Sequence, residues 1–150
     1  MTTYDLKNLT SQQVHTIINA LDLYSRLSLG QVGELGGVLM DLHFERCHTK
    51  ITRWDLQEKI NTSLKPYLGL EQGGHLGMGH EEQHESGKTA YDIECVLRNQ
   101  VAKTEQHNEH SVWYRTPLHY SQEPLPTVII NNESSIIETS EQSINNQDRR

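Results

Sequence analysis

The strongest structural signal in the chain is a helical repeat of apolar residues that follows a capping motif. Thr10 and Gln13 have the spacing of a capping box, in which each side chain satisfies a backbone N–H at the start of a helix. Apolar side chains then recur every three or four residues, at Val14, Ile17, Ile18, Leu21 and Tyr24. Because this is the period of one helix face, we expect a helix over residues 11–29. Gly30 suits a left-handed cap at its end.

A second helical pattern, over residues 32–42, contains an unusual number of glycines. Gly33, Gly36 and Gly37 each cost about 1 kcal/mol relative to alanine inside a helix, so a compensating contact is needed. We expect the small face of this helix to pack closely against another helix. A ligand-binding surface is the alternative.

Two further helices complete the predicted fold. The third begins after Thr52, a favourable N-cap, and ends before Pro66. Its apolar residues, for which we expect packing contacts, are Trp54, Leu56, Ile60 and Leu64. The fourth helix should cover about residues 88–103, where apolar side chains again follow a helical period. The long connection between them, residues 69–87, shows no periodicity.

The sequence therefore predicts a mainly α protein with about four helices and a small extended or β-hairpin element near the C-terminus. The β-like stretches are residues 111–120 and 125–130, both limited by proline. We assign residues 1–130 to one helical domain, since 150 residues suit one modest core. Residues 131–150 are expected to form a disordered polar tail, because their apolar side chains are limited to Ile136, Ile137 and Ile144.

Charge and cysteine usage narrow the class of protein. The net charge is −7 and no Lys/Arg cluster follows the spacing of a phosphate backbone, so we expect no nucleic-acid partner. No apolar run reaches membrane-spanning length and no basic region precedes an apolar core near Met1, which predicts a cytoplasmic protein with no membrane partner. Cys47 and Cys95 lack disulfide-framework spacing and are expected to be reduced, buried thiols.

An H-E-x-x-H match at His80, Glu81 and His84 raises the question of a zinc hydrolase. In such enzymes both histidines lie on one helix face and bind the metal, while the glutamate activates water. The third histidine of the longer pattern is replaced by Ala90. The remaining candidates for a third ligand, none with diagnostic spacing, are Glu71, His75 and His107. We therefore expect no metal, no cofactor and no catalytic residues, and keep a metal-dependent hydrolase as the weakest hypothesis.

A glycine-rich stretch precedes the fourth helix. It lacks the Lys-Ser/Thr pair of a P-loop and follows no predicted strand. Glycine amides ahead of a helix N-terminus can nevertheless hold an anion, and imidazoles can assist. The alternative is a flexible connection without a ligand. The loop residues that we assign to ligand binding are Gly74, His75, Gly77, Gly79 and His80.

Aromatic and basic side chains accumulate in and after the fourth helix. As a ligand site, Trp113 or Tyr114 would stack on a base, Arg98 or Arg115 would pair with phosphate, and Tyr91 would flank them. The alternative is that these side chains have only a structural role and form the edge of the core. We place them with the glycine loop in one predicted cleft.

Three stretches, residues 20–31, 89–98 and 117–126, resemble small accessory proteins encoded by tailed bacteriophages. The resemblance implies expression inside the infected cell and favours stoichiometric binding over metabolism. Some anti-defence proteins, similar in size and helical character, sequester cyclic or ADP-ribose-type nucleotides. We therefore expect a non-enzymatic homo-oligomer that sequesters a small anionic, nucleotide-like ligand. The alternative is a modulator that binds a host protein.

Overall fold

The computed structural model describes residues 4–43, 51–106 and 110–130, and it confirms the mainly helical fold. Four α-helices are formed: α1 (Ser11–Ser28), α2 (Glu34–His43), α3 (Arg53–Leu64) and α4 (Glu85–Thr104). Two short 3-10 helices, Lys65–Leu68 and Val112–Tyr114, follow α3 and α4. Cys47, His107 and the predicted tail lie outside the described residues. Within those residues, no helix has the length and apolar character needed to cross a bilayer.

Local sequence signals set the helix ends. Capping boxes form at Thr10 and Thr52, where each threonine side chain accepts from the backbone N–H three residues later. Gly30 has φ +78° directly after the α1 cap, as predicted. Helix α4 begins three residues earlier than expected, because His84 acts as its N-cap and accepts a hydrogen bond from the backbone N–H of Ser86.

Helices α1 and α4 pack antiparallel and form most of the core. The end of α1 meets the start of α4, where a Cβ on Gly87 would overlap the Ser28 side chain. At the opposite end, Ser11 donates to Glu105 at 2.6 Å. The buried apolar residues of this pair are Ile18, Leu29, Ala90, Cys95, Val96 and Ala102. Small side chains at the contact permit this close approach.

Helices α2 and α3 form the second packed pair, which explains the glycines of α2. A Cβ on Gly36 would lie only 2.9 Å from the backbone nitrogen of Gln57, so the helix contact requires glycine there. The expectation that α3 packs through its apolar residues is wrong for two of them. Trp54 is 74% exposed and Leu64 is 42% exposed, and α3 has no buried residue. The glycines bring the α2 backbone close to α3, although no residue of α3 is fully buried.

Three polar side chains on one face of α4 hold the C-terminal segment against the helix. Asn99 donates to the carbonyl oxygens of Trp113 and Arg115, at 3.3 and 3.1 Å. Asp92, which is 2% exposed, accepts from the backbone N–H groups of Tyr120 and Ser121. Glu85 accepts from the backbone N–H of Gln122. Residues 85, 92 and 99 are seven apart, close to two helical turns, so they share a face.

This polar face explains why the β-hairpin alternative is wrong. Backbone groups of residues 113–122 that a partner strand would satisfy are instead bonded to side chains of α4. Val112–Tyr114 is a 3-10 helix, and no strand is present in the described part of the chain. The extended-element alternative describes the segment, which runs antiparallel to α4.

Replacing Asp92 tests the anchoring of this segment. Asp92→Ala removes the side-chain acceptor of two backbone N–H groups, and we expect it to lower the free energy of unfolding by about 2–3 kcal/mol. Urea denaturation measures this loss, and faster tryptic cleavage after Arg115 should accompany it. The exposed Asp5→Ala variant is the control. Unchanged stability and cleavage in Asp92→Ala would contradict the assignment.

Candidate functional site

The glycine-rich loop is attached to the helices along its length. Lys65 donates from Nζ to the carbonyl oxygen of Gly74 at 2.7 Å, and the backbone N–H of Leu76 donates to Leu29 O at 2.8 Å. Further along, the N–H of Gly79 donates to the buried Gln83 side chain at 3.1 Å. The first half of the loop therefore lies beside the end of α3, and the second half lies beside the start of α4.

The H-E-x-x-H stretch lies in turns before α4 and not on a helix. His80 Nδ1 accepts from the backbone N–H of Glu82 at 3.2 Å, and His84 caps α4. The two imidazoles therefore do not share a helix face, which the zinc-hydrolase arrangement requires. Among the residues that the structure describes, no three His, Cys, Asp or Glu side chains are grouped to hold a metal ion.

Arg98 faces the α1–α4 interface, where a buried carboxylate neutralises it. Its Nη1 lies 3.0 Å from Oε1 of Glu94, a residue that is 2% exposed. Burial raises the pKa of the Glu94 carboxyl, and the positive charge of Arg98 opposes that shift. Burial also raises the pKa of the Cys95 thiol to about 11 and that of the Tyr91 hydroxyl to about 12. These groups form a structural polar network within the fold.

Trp113, Tyr114 and Arg115 are distant from the glycine loop. Asn99 bonds the carbonyls of residues 113 and 115, and the Trp113 ring centroid lies 6.1 Å from that of His15 near the start of α1. The start of α4 is fourteen residues from Asn99, or about 21 Å along the helix. The structure thus brings Tyr91 near the loop side, through its 5.7 Å ring contact with Tyr120, but not Trp113.

Residues assigned to the loop site separate into two groups. Gly74 and His75 lie beside Lys65, whereas Gly79 lies against the ring of Tyr120, 3.2 Å from a Cβ built on the glycine. His80 closes the turn at Gly77, donating its N–H to the Gly77 carbonyl at 3.0 Å. The single cleft predicted from sequence is therefore not assembled as one surface.

A different cleft, of about 610 Å³, is formed by α3, the turn before α2 and the first half of the glycine loop. Its volume falls within the range of ligand clefts, about 300–1,000 Å³. The polar and aromatic side chains of its lining, which include two carboxylates, are Gln31, Glu34, Trp54, Gln57, Glu58, Asn61, Lys65, Gln72 and His75. The assigned loop residue His75 thus belongs to this cleft.

One face of α3 supplies the principal groups of the cleft. Trp54, Gln57, Asn61 and Lys65 are three or four residues apart, which places them along one helix face. The Trp54 indole is exposed at the first turn and offers a ring surface for stacking. The polar character of this face is the reason that α3 contributes little to the core.

Lys65 is the main electrostatic feature of the cleft. It is 5% exposed, and its ammonium is bonded to the Gly74 carbonyl. Among the described residues, no carboxylate lies within 4.0 Å of it. Glu34, at the other wall, lies 3.9 Å from Arg26 and so has a cation of its own. A lysine side chain that donates one N–H group to a carbonyl has further N–H groups that an anion in the cleft can accept from.

The cleft has two further polar groups. The Asn61 Oδ1 is buried and has no hydrogen-bond partner among the described residues, so a ligand contacts it only after the carboxamide rotates. Its side chain is close to Gly33, where a Cβ would lie 2.6 Å from Asn61 Nδ2, so only glycine leaves room for the carboxamide. His75 donates from Nδ1 to Leu76 O at 2.9 Å, because a carbonyl only accepts. Its Nε2 is then an acceptor when the ring is neutral.

A second concavity, of about 470 Å³, lies on another face of α3 and is lined by Ile51, Asp55, Glu58, Lys59, Thr62 and Ser63. Asp55 there is engaged in the α3 capping box with Thr52. The lining of this second concavity includes no aromatic ring and no buried cation. The cleft with Trp54 and Lys65 is therefore the better candidate site.

The sequence contained a signal for this site. Trp54 fits the apolar period of α3, and this pattern predicts a packing residue. Gln57, Asn61 and Lys65 continue from Trp54 on the same face as polar residues. A helix face with one large ring and three polar side chains indicates a solvated or ligand-binding face as readily as a packed one.

No protein-family model matches the chain, and no curated protein or solved structure has significant similarity to it. The chemistry of the site is therefore the basis for assigning a function.

The buried network at Cys95 gives a test of the electrostatics in α4. A pKa of about 11 leaves about a hundredfold less thiolate at pH 8 than an ordinary thiol, so Cys95 should react slowly in the folded protein. A Cys47→Ser variant leaves Cys95 to be followed with a thiol-specific chromogenic reagent. We expect fast reaction only in denaturing urea. If the thiol reacts at the same rate in the native and the unfolded protein, Cys95 is accessible and the buried position assigned to it is wrong.

Proposed function

We propose that the protein binds a small anionic molecule with a flat ring, of nucleotide type, in the cleft formed by α3, the turn before α2 and the first half of the glycine loop. The main observation in support is that Lys65 and Trp54 line the same cleft. The Lys65 side chain is buried and has no carboxylate partner among the described residues, and the Trp54 indole is exposed. An anion at Lys65 can accept from the N–H groups of its side chain that the Gly74 carbonyl does not use. A ring at Trp54 gains stacking energy, about 1–3 kcal/mol for a nucleobase.

Stoichiometric sequestration is the mode of action that we propose. The cleft presents groups that stack, donate or accept hydrogen bonds and neutralise charge, at Trp54, Asn61 and Lys65. The resemblance to phage accessory proteins supports a role in the cytoplasm of an infected cell, where removal of a host signalling nucleotide needs no turnover. In this proposal, Gly74 and His75 retain their assigned role in binding.

Small-molecule release from the purified protein tests the proposal. The full chain is incubated with extract of infected cells, washed and denatured, and the released compounds are identified by mass spectrometry. We expect an intact anionic compound with a ring, at close to one molecule per cleft. Trp54→Ala and Lys65→Met should each lower recovery at least about tenfold, a loss of about 1.4 kcal/mol.

Matched controls come from the same region of the chain. Lys59→Met changes a lysine of α3 outside this cleft, and Tyr67→Ala removes an aromatic side chain that is 88% exposed. Both should retain the compound. Circular dichroism establishes that each variant is folded, and the exposed Trp54 position carries the test if Lys65→Met is unfolded. Release of no small molecule from the wild type would contradict the proposal.

A modulator of a host protein is the second candidate, and one surface favours it. Leu64, Tyr67 and Leu68 are near neighbours in sequence at the end of α3 and are 42%, 88% and 52% exposed. Adjacent exposed apolar side chains are typical of protein interfaces. A host protein that co-purifies in fixed proportion, and is lost in Tyr67→Ala but not in Trp54→Ala, would favour this function.

A further inference from the structure

A carboxylate lies beside the exposed indole of the cleft. Glu58 lines the cleft together with Trp54 and follows it by four residues on α3. Side chains four residues apart lie one above the other on a helix, with Cβ atoms about 5–6 Å apart, and they lean toward the helix N-terminus. The Glu58 side chain therefore leans toward the turn that carries the Trp54 indole, and both side chains are exposed.

The two carboxylates of the cleft lining differ in their ion pairs. Glu34 lies 3.9 Å from Nη1 of Arg26. Among the described residues, no Lys, Arg or His nitrogen lies within 4.0 Å of the Glu58 carboxylate. Lys65 follows Glu58 by seven residues, or about 10 Å of helical rise, and its Nζ is bonded to the Gly74 carbonyl. Glu58 is therefore the carboxylate of the lining whose charge is left for a ligand.

The Trp54 end of the cleft favours positive charge for two independent reasons. The face of an indole attracts a cation more strongly than any other aromatic side chain does. The Glu58 carboxylate adds a full negative charge beside that face. A neutral ring stacked on Trp54 would displace water from Glu58 without neutralising it, which costs free energy. A ring with a positive charge satisfies both groups at once.

We infer, resting on the proposed function, that the ring of the ligand is cationic, so that the ligand is a dipolar nucleotide with a positive ring and a negative phosphate. The ring stacks on Trp54 beside the Glu58 carboxylate, and the phosphate accepts from Lys65 at the other end of the cleft. The chemical class is a nucleotide whose heteroaromatic ring carries a quaternary nitrogen, such as a pyridinium or an N-methylated purine. Common purine and pyrimidine nucleotides, with neutral bases, are outside it.

Two pairs of nucleotides that differ in the charge of the ring test this inference. Isothermal titration of the full-length protein at pH 7 compares nicotinamide mononucleotide, which has a pyridinium ring, with its reduced form, in which the ring is neutral. The second pair is the cationic 1-methyladenosine 5′-monophosphate and AMP. We expect the cationic member to bind at least about threefold more tightly, because the indole and the carboxylate both attract it.

Glu58→Gln removes the charge and keeps the size of the side chain. We expect this variant to bind the two members of each pair with equal affinity, and to bind the neutral member within about twofold of the wild type. Glu81→Gln is the matched control, because it changes the net charge equally at an exposed residue outside the cleft lining. This control should keep the preference of the wild type.

The outcomes separate this inference from the proposed function. The inference holds if the cationic member is preferred in either pair and Glu58→Gln removes the preference. Equal affinities in both pairs, a preference that persists in Glu58→Gln, or binding of none of the four nucleotides would overturn it. An anionic compound with a neutral ring, released from the wild type, would support the proposed function and overturn the inference. Release of no small molecule contradicts the proposed function itself.

Discussion

The arrangement of the chain depends most on the hydrogen bonds that the carboxylate of Asp92 accepts. It is buried on α4 and accepts from two backbone N–H groups of the C-terminal segment, so a segment without helix or strand is held to the core. The same helix also packs against α1. Burial is concentrated there: α4 has eight buried residues, and α3 has none. Because α4 supplies the core, α3 is free to present polar groups to a cleft.

Local signals predicted the elements of the fold, since the energies that decide them act within a few residues. The capping boxes at Thr10 and Thr52 and the left-handed Gly30 occur as expected. The glycines of α2 correctly indicated a close helix contact at Gly36. The C-terminal segment was harder to predict, because its backbone partners are side chains more than ten residues away in sequence. Nothing local distinguishes such a partner from a second strand.

The site was predicted less well than the fold, and for a physical reason. The predicted cleft combined the glycine loop before α4 with the aromatic and basic residues after it. The two ends of this 20-residue helix are about 30 Å apart, so the two groups do not meet. Arg98 also has a buried counter-ion in Glu94, which sequence spacing alone did not reveal. The sequence alone does not distinguish Lys65 from other lysines, because the absence of a carboxylate near it is a property of the folded chain. Of the loop residues, His75 lines the cleft, and Gly74 accepts a hydrogen bond from Lys65.

The central claim is that a ligand is held at Trp54 and not near Trp113. The chain has two tryptophans, so the indole N–H signals in a ¹H–¹⁵N correlation spectrum report separately on the two regions. Assignment follows from a Trp113→Phe variant, and ADP is titrated into the labelled protein. The account predicts that the Trp54 signal shifts with saturation while the Trp113 signal stays in place. A saturable shift of Trp113 with Trp54 unchanged would contradict the account and restore the site expected from sequence.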